Sequence, residues 1–143
     1  MPDKDTGQLT NELRETTDVE KFLLANTENL REFTLKEYLR KLLAEKNLVK
    51  AQVIRDSLLD EGYAKKIFRG DTEHPARAKI LSLALAMKLS PKETDYLLYY
   101  AGHNKLYSRN AWDSVIFFAL TNHKSVAETN ELLKNIQLEP LLD

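Results

Sequence analysis

Four times in this chain a serine or threonine is followed, three residues later, by a glutamate. This spacing is typical of a helix start, because each side chain hydrogen-bonds a backbone N–H that the first turn leaves unpaired. Only four glycines and four prolines occur, and they lie between the periodic apolar segments. No useful stretch alternates apolar and polar residues as a strand does, so the sequence predicts an all-α fold. The four pairs are Thr17/Glu20, Thr34/Glu37, Ser90/Glu93 and Ser125/Glu128.

Helix bodies and ends follow from the apolar spacing and the punctuating residues. Pro91 falls at the first position of a helix, where its missing N–H has no consequence, and Pro75 is expected to start another helix in the same way. Gly70 and Gly102 each follow a periodic segment, which predicts left-handed C-terminal caps. The helix after Pro75 is nearly all apolar and is expected to be central. The predicted helices cover about 8–15, 18–25, 35–46, 50–57, 61–69, 75–88, 91–101, 109–121 and 126–136.

Composition excludes several classes of protein. The chain has 143 residues and no cysteine, so disulfide frameworks, thiolate nucleophiles and thiolate-bound metals are excluded. No apolar run approaches the roughly 18 residues of a membrane helix, and the first residues do not resemble a secretory signal. We therefore expect a cytoplasmic protein without a membrane partner.

Nothing in the sequence indicates enzyme chemistry. His74, His103 and His123 are far apart and lack a second ligand at metal-binding spacing on one helix face, so we expect surface or capping roles for them. No nucleophile elbow or phosphate loop occurs. The adjacent acids Asp60 and Glu61 are better explained as a helix start than as a paired-carboxylate site. We expect no enzyme, no metal and no cofactor.

Charge is distributed unevenly. Residues 1–33 carry a net charge of −4, residues 34–89 carry 12 positive and 7 negative charges for a net of +5, and residues 90–143 carry a net of −2. The whole chain has a formal net charge of −1. Because binding to phosphate depends on the local patch, the basic middle segment permits a nucleic-acid partner.

Residues 48–70 contain two short helices separated by about three residues, with Asp60 as N-cap of the second. On a helical wheel of residues 61–69, the apolar side chains fall on one face, which is expected to lie inward. The opposite, outer face carries three cations and a glycine that permits close backbone approach, and we expect no acid on it. The inward residues are Ala64, Ile67 and Phe68, and the outward ones are Gly62, Lys65, Lys66 and Arg69.

Residues 34–101 resemble a lambda-repressor-like helix-turn-helix domain of the Cro/phage-repressor (XRE) class. The matching pieces are Tyr38 to Leu48, Val53-Ile54, Ile67 to Gly70, Pro75 and Ile80 to Ser90. The resemblance implies a five-helix domain over residues 34–102, with an N-terminal helical extension over 1–33 and a C-terminal one over 103–143. The C-terminal segment is similar to helical extensions of small regulators of this class in Gram-positive bacteria.

The resemblance implies that helix 61–69 reads double-stranded DNA in the major groove. Basic residues of helix 35–46 would also hold phosphates, and Arg69, at a helix end, would be a phosphate ligand. This chain departs from the family in having Val49-Lys50 at the start of the first reading helix and Leu58-Leu59 where a small turn residue is usual. The implied DNA contacts are Lys50, Glu61, Gly62, Tyr63, Lys65, Lys66 and Arg69.

Two functions fit the sequence. The first is a DNA-binding transcriptional regulator, and the second is a helix-turn-helix module that binds protein without specific DNA binding. Glu61 and the acidic flanks favour the second, because acids repel phosphate. In helix 109–121 an apolar stripe should face the core, whereas Phe117 and Phe118 project away from that stripe, one on each side of it. That pattern predicts either burial of both rings within the monomer or a homodimer through the C-terminal helices.

Overall fold

A computed structural model describes residues 33–72 and 74–142 of the chain. The described residues form seven α-helices and no strand, which confirms the all-α prediction. The chain divides into two units, Met1–Phe33 and Thr34–Asp143, and all seven helices belong to the second. The predicted helices at 8–15 and 18–25, with the Thr17/Glu20 pair, lie outside the described residues. The helices are α1 (Leu35–Glu45), α2 (Lys50–Ser57), α3 (Glu61–Arg69), α4 (Arg77–Ala86), α5 (Pro91–Tyr100), α6 (Ala111–Thr121) and α7 (Val126–Asn135).

Three of the predicted capping boxes form as expected, at the starts of α1, α5 and α7. Pro91 is the first residue of α5, as predicted. The prediction for Pro75 is wrong, because α4 begins two residues later, at Arg77, after an extended Ala76. Pro75 is instead buried in the preceding loop, and its carbonyl accepts a hydrogen bond of 2.6 Å from His103 Nε2. This bond holds the loop in place and delays the start of the helix.

All seven of these helices end one or two residues before a residue in the left-handed conformation. Gly70 and Gly102 do so with φ near 80°, which confirms the two predicted caps. The other five ends use side-chain-bearing residues at a conformational cost, and they pair the last carbonyls of the helix with backbone N–H groups downstream. His123 is one of these, in agreement with its expected capping role. The five residues are Asn47, Leu58, Lys88, His123 and Gln137.

Helix α4 lies at the centre of the second unit. It packs against α2, α5, α6 and α7, whereas α1 packs against α3 and α5. Six consecutive residues of α4, from Ile80 to Leu85, are buried, as expected for a helix covered on all sides. The apolar spacing of the sequence predicts seven mostly buried core residues, and the structure confirms them, since each is at most 5 % exposed: Leu39, Leu42, Val53, Ile54, Ile67, Leu81 and Leu85.

An ion pair joins the start of α4 to α6. The Arg77 guanidinium donates two hydrogen bonds to the Asp113 carboxylate, at 2.8 and 2.9 Å, and two more to the carbonyls of Asn104 and Lys105 at 3.2 Å. Asp113 is buried and also accepts from the Tyr107 N–H. This bidentate arrangement fixes α6 and the loop before it against the helices that position α3.

Candidate nucleic-acid interface

The turn between α2 and α3 is built by three residues with separate roles. Leu58 adopts φ 59° and ψ 13°, the left-handed conformation that glycine takes at the lowest cost. Leu59 is buried, and its N–H donates to the Ser57 hydroxyl. Asp60 caps α3 by accepting from the Tyr63 N–H at 3.0 Å, which confirms the helix-start interpretation of this acid.

Helix α3 has the two faces that the sequence predicts. Ala64 and Ile67 are fully buried and Phe68 is 7 % exposed, so this face fixes the helix on the core. The four outward residues, Gly62, Lys65, Lys66 and Arg69, are all exposed. At Gly62 a Cβ atom would lie 3.3 Å from the capping Asp60 Oδ2, so the absent side chain also relieves the cap.

The expectation that the outer face of α3 lacks an acid is wrong. Lys65 Nζ lies 2.9 Å from Glu61 Oε1, one helical turn earlier, and Arg69 Nε lies 3.0 Å from Asp71 Oδ2. Helical geometry places residues i and i+4 side by side, so Glu61 reaches Lys65 directly. Among the described residues, Lys66 is the one cation of α3 that forms no ion pair.

The two remaining predicted contacts, Lys50 and Tyr63, lie on either side of α3. Lys50 is exposed at the first position of α2, and its Nζ lies 5.7 Å from the centre of the Phe68 ring. Tyr63 is half-buried, and Lys79 of α4 places its Nζ 5.3 Å from the centre of that ring. The structure therefore gathers all seven predicted residues on α2 and α3, with Tyr63 partly covered by α4.

A groove beside this surface brings Arg69 together with two basic residues of α1 that the sequence did not single out by number. It lies between the start of α1 and the end of α3, has a volume of about 610 Å³, and is lined by Lys36, Arg40 and Arg69 among others. Gly70 brings the two helices close, because it takes φ 80° and a Cβ there would lie 3.3 Å from Lys36 Cδ. The one sequence signal was the i, i+4 spacing of Lys36 and Arg40; their proximity to Arg69 depends on tertiary packing.

Two of the three histidines meet in space although they lie far apart in the sequence. The rings of His74 and His103 have centroids 4.6 Å apart and are tilted by 33°. His103 is half-buried and bonded to the Pro75 carbonyl, so its role is internal and differs from the predicted surface or cap position. Within residues 33–72 and 74–142, no group of three or more His, Asp or Glu side chains is placed to hold a metal ion.

No protein family, no curated protein and no solved structure matches this chain. What the site can do is therefore decided by its geometry and charge. In the part of the chain that the structure describes, no helix combines the length and apolar character needed to cross a bilayer. The exposed cations of α2, α3 and the groove are side chains of the kind that attracts phosphate, and Glu61 and Asp71 pair with two of them.

Proposed function

We propose that this protein is a DNA-binding transcriptional regulator that places α3 in the major groove of double-stranded DNA. The observation that carries the proposal is the rigid α2–turn–α3 unit, whose second helix buries one face and exposes a glycine and three cations on the other. A helix presented in this way fits the width of the major groove, and the helix before it crosses the backbone. The regulator would act in the cytoplasm, where the DNA of a bacterial cell lies.

The residues of the interface have different tasks in this proposal. Lys66, which has no ion pair among the described residues, is the strongest candidate for contact with a guanine edge or a phosphate. Lys50 at the start of α2 and Arg69 at the end of α3 would hold the backbone on either side. Glu61 opposes phosphate unless it accepts a hydrogen bond from cytosine, so it is a candidate for selectivity.

A protein-binding module is the second candidate function, and the ion pairs favour it. Because Glu61 and Asp71 already neutralise Lys65 and Arg69, the outer face of α3 attracts phosphate less strongly than three cations alone would. A mixed-charge surface of this kind also suits a protein partner, through electrostatic complementarity.

A salt titration distinguishes the two functions. Binding to a random DNA duplex is measured by fluorescence anisotropy at several salt concentrations, for the wild type, Lys66→Gln, Lys65→Gln and Glu61→Gln. A regulator binds at low salt, and Lys66→Gln flattens the salt dependence by about one unit. Lys65→Gln has a smaller effect because Lys65 is already paired, and Glu61→Gln strengthens binding because it releases Lys65.

The matched control is Lys92→Gln, an exposed lysine on α5. It should leave both affinity and salt dependence unchanged. A wild type that does not bind duplex DNA at low salt, or a Lys66→Gln variant with wild-type salt dependence, contradicts the regulator and leaves the protein-binding module.

We further propose that the regulator is a homodimer joined through α6. Phe117 is 49 % and Phe118 50 % exposed, so the final helix α7 does not bury either ring. Two adjacent exposed aromatic rings on one helix form an apolar patch of the kind found at interaction sites. A two-fold dimer would present two copies of α3 to half-sites about one helical turn apart.

A further inference from the structure

The basic groove between α1 and α3 contains positive charge that the ion pairs of the described residues do not neutralise. Within the described part of the chain, Lys36 and Arg40 form no ion pair, although both line this groove on successive turns of α1. Arg69 lines the opposite side and is held by Asp71 at 3.0 Å. Unpaired cations that converge on one concave surface are an electrostatic site for an anion.

The acid that also lines the groove is occupied by local hydrogen bonds. Glu37 Oε1 accepts from the Thr34 N–H at 3.2 Å and from the Thr34 hydroxyl at 3.0 Å, as part of the capping box of α1. The box therefore holds this carboxylate at the helix start. The amino-terminal end of α1 opens onto the same groove and adds the positive end of a helix dipole.

An aromatic ring completes the groove. Tyr100, at the end of α5, lines it and is half-buried, with its ring centroid 4.7 Å from that of Tyr38 and 5.2 Å from that of Tyr99. Thr72 also lines the groove. Cations combined with an aromatic ring are the features that bind a phosphate and a base together.

We propose that this groove binds a phosphate ester that carries a nucleobase. Lys36, Arg40 and Arg69 would bind the phosphate oxygens and Tyr100 would contact the base. The volume of about 610 Å³ lies within the range of small-molecule sites. The same chemistry is offered by a free nucleotide and by one unit of a nucleic-acid strand, so the inference does not depend on the regulator function.

Titration with three probes tests the site on the full chain. Pyrophosphate, ADP and adenosine are added separately at low salt, and the backbone amide signals of Lys36, Gly70 and Thr72 are followed by NMR. We expect pyrophosphate and ADP to shift these signals, with ADP binding more tightly because of Tyr100, and adenosine to bind most weakly.

The decisive variant is Lys36→Gln/Arg40→Gln, which removes both charges and keeps side chains of substantial length. It should weaken pyrophosphate and ADP binding by at least tenfold, or about 1.4 kcal/mol, because two charged contacts to the phosphate are lost. The matched control is Lys92→Gln/Arg109→Gln, two exposed cations outside the groove, and it should bind like the wild type. Equal thermal midpoints show that both variants are folded.

The source of the phosphate is decided by adding duplex DNA and single-stranded DNA to the same proteins. Loss of ADP binding in the double variant with unchanged DNA binding assigns the groove to a free nucleotide. A salt dependence for DNA that flattens in the double variant, without ADP binding, assigns it to a strand. The inference is overturned if neither ADP nor DNA binds the wild type at this site, or if the double variant binds both as the wild type does. A protein that binds ADP but no DNA keeps this inference and loses the proposed regulator function.

Discussion

Helices α3 and α6 bury their inner faces in the same way and present opposite chemistry to solvent. On α3 the buried residues are backed by an outer face of lysines, arginine and glycine. On α6 the residues Ile116, Ala119 and Leu120 are buried, whereas the outer face carries Phe117 and Phe118, each about half exposed. The inner faces of both helices are anchored in the core, so the two helices differ in the chemistry of their outer faces.

The outer faces of α3 and α6 differ in how strongly they indicate a binding partner. Charged side chains on a solvated helix cost little, and the ion pairs of Lys65 and Arg69 show that two of the three cations on α3 already have local partners. Exposed aromatic rings leave apolar area in water, which is unfavourable in proportion to that area. The outer face of α6 is therefore the stronger sign of a partner, and that of α3 depends mostly on Lys66.

The largest expected effect is a loss of folding stability, and it should be similar for the inner faces of α3 and α6. Ile67→Ala on α3 and Ile116→Ala on α6 each remove a fully buried side chain and should each lower the free energy of unfolding by about 2–5 kcal/mol. Urea denaturation followed by circular dichroism measures both. A loss below about 1 kcal/mol at either site would show that this inner face is not anchored in the core.

The second-largest expected effect tests the ion pair that joins the start of α4 to α6. Asp113→Asn removes the charge that the Arg77 guanidinium binds and should lower the free energy of unfolding at pH 7 by about 1.5–3 kcal/mol. Asp56→Asn is the matched control, because Asp56 is exposed and bonds only within α2, to Gln52. Equal stability of the two variants would mean that the ion pair does not fix α6.

The same variant predicts a pH dependence. Burial by itself raises the pKa of Asp113, but the hydrogen bonds from Arg77 and the Tyr107 N–H outweigh burial and bring the pKa below its usual value. A carboxyl group with a lowered pKa in the folded state stabilises the protein above its unfolded-state pKa, near 3.9. The difference between wild type and Asp113→Asn should thus be full at pH 5–7 and shrink as the pH falls below about 4. A difference that stays constant at acid pH would contradict this account.

The smallest expected effect on stability comes from substitutions on the outer faces of α6 and α3, and these substitutions should differ in their effect on dimer formation. Phe117→Ser/Phe118→Ser should lower the free energy of unfolding of the monomer by only about 1 kcal/mol per site, because half of each ring is already exposed. It should nevertheless change the mass measured by light scattering at tens of micromolar, from about twice 16.5 kDa to 16.5 kDa. Lys65→Gln/Lys66→Gln on α3 is the control and should leave the mass unchanged. A wild type that is monomeric at this concentration would rule out the α6 interface.

Helix starts were predictable because their signals are local. Thr34, Ser90 and Ser125 each bond a residue three positions away, so the pattern in the sequence is also the contact in space. Helix ends were predicted only at Gly70 and Gly102, because other residues seldom take left-handed φ, and tertiary packing has to compensate the cost at Leu58 and elsewhere. The start of α4 was missed because His103, 28 positions from Pro75, holds the loop.

In the candidate site, too, the features that depend on neighbouring residues were predictable, whereas those that depend on tertiary packing were not. The inward and outward faces of α3 were predictable from helical periodicity, which depends on nothing beyond the helix itself. The pairing of Glu61 with Lys65 was also local, and an i, i+4 reading would have found it. The proximity of Lys36 and Arg40 to Arg69 was not predictable, because it follows from how α1 packs on α3.

The sequence by itself therefore determined the helices, their capped starts and the residues of the core, since these follow from spacings of three and four positions. Only the tertiary structure decided which distant groups meet: Arg77 with Asp113, His74 with His103, and the three cations around one groove. The reason is physical. Backbone hydrogen bonds and helical periodicity are short-range, whereas the charge and shape of a binding surface depend on the relative placement of helices, which is fixed by packing of the whole core.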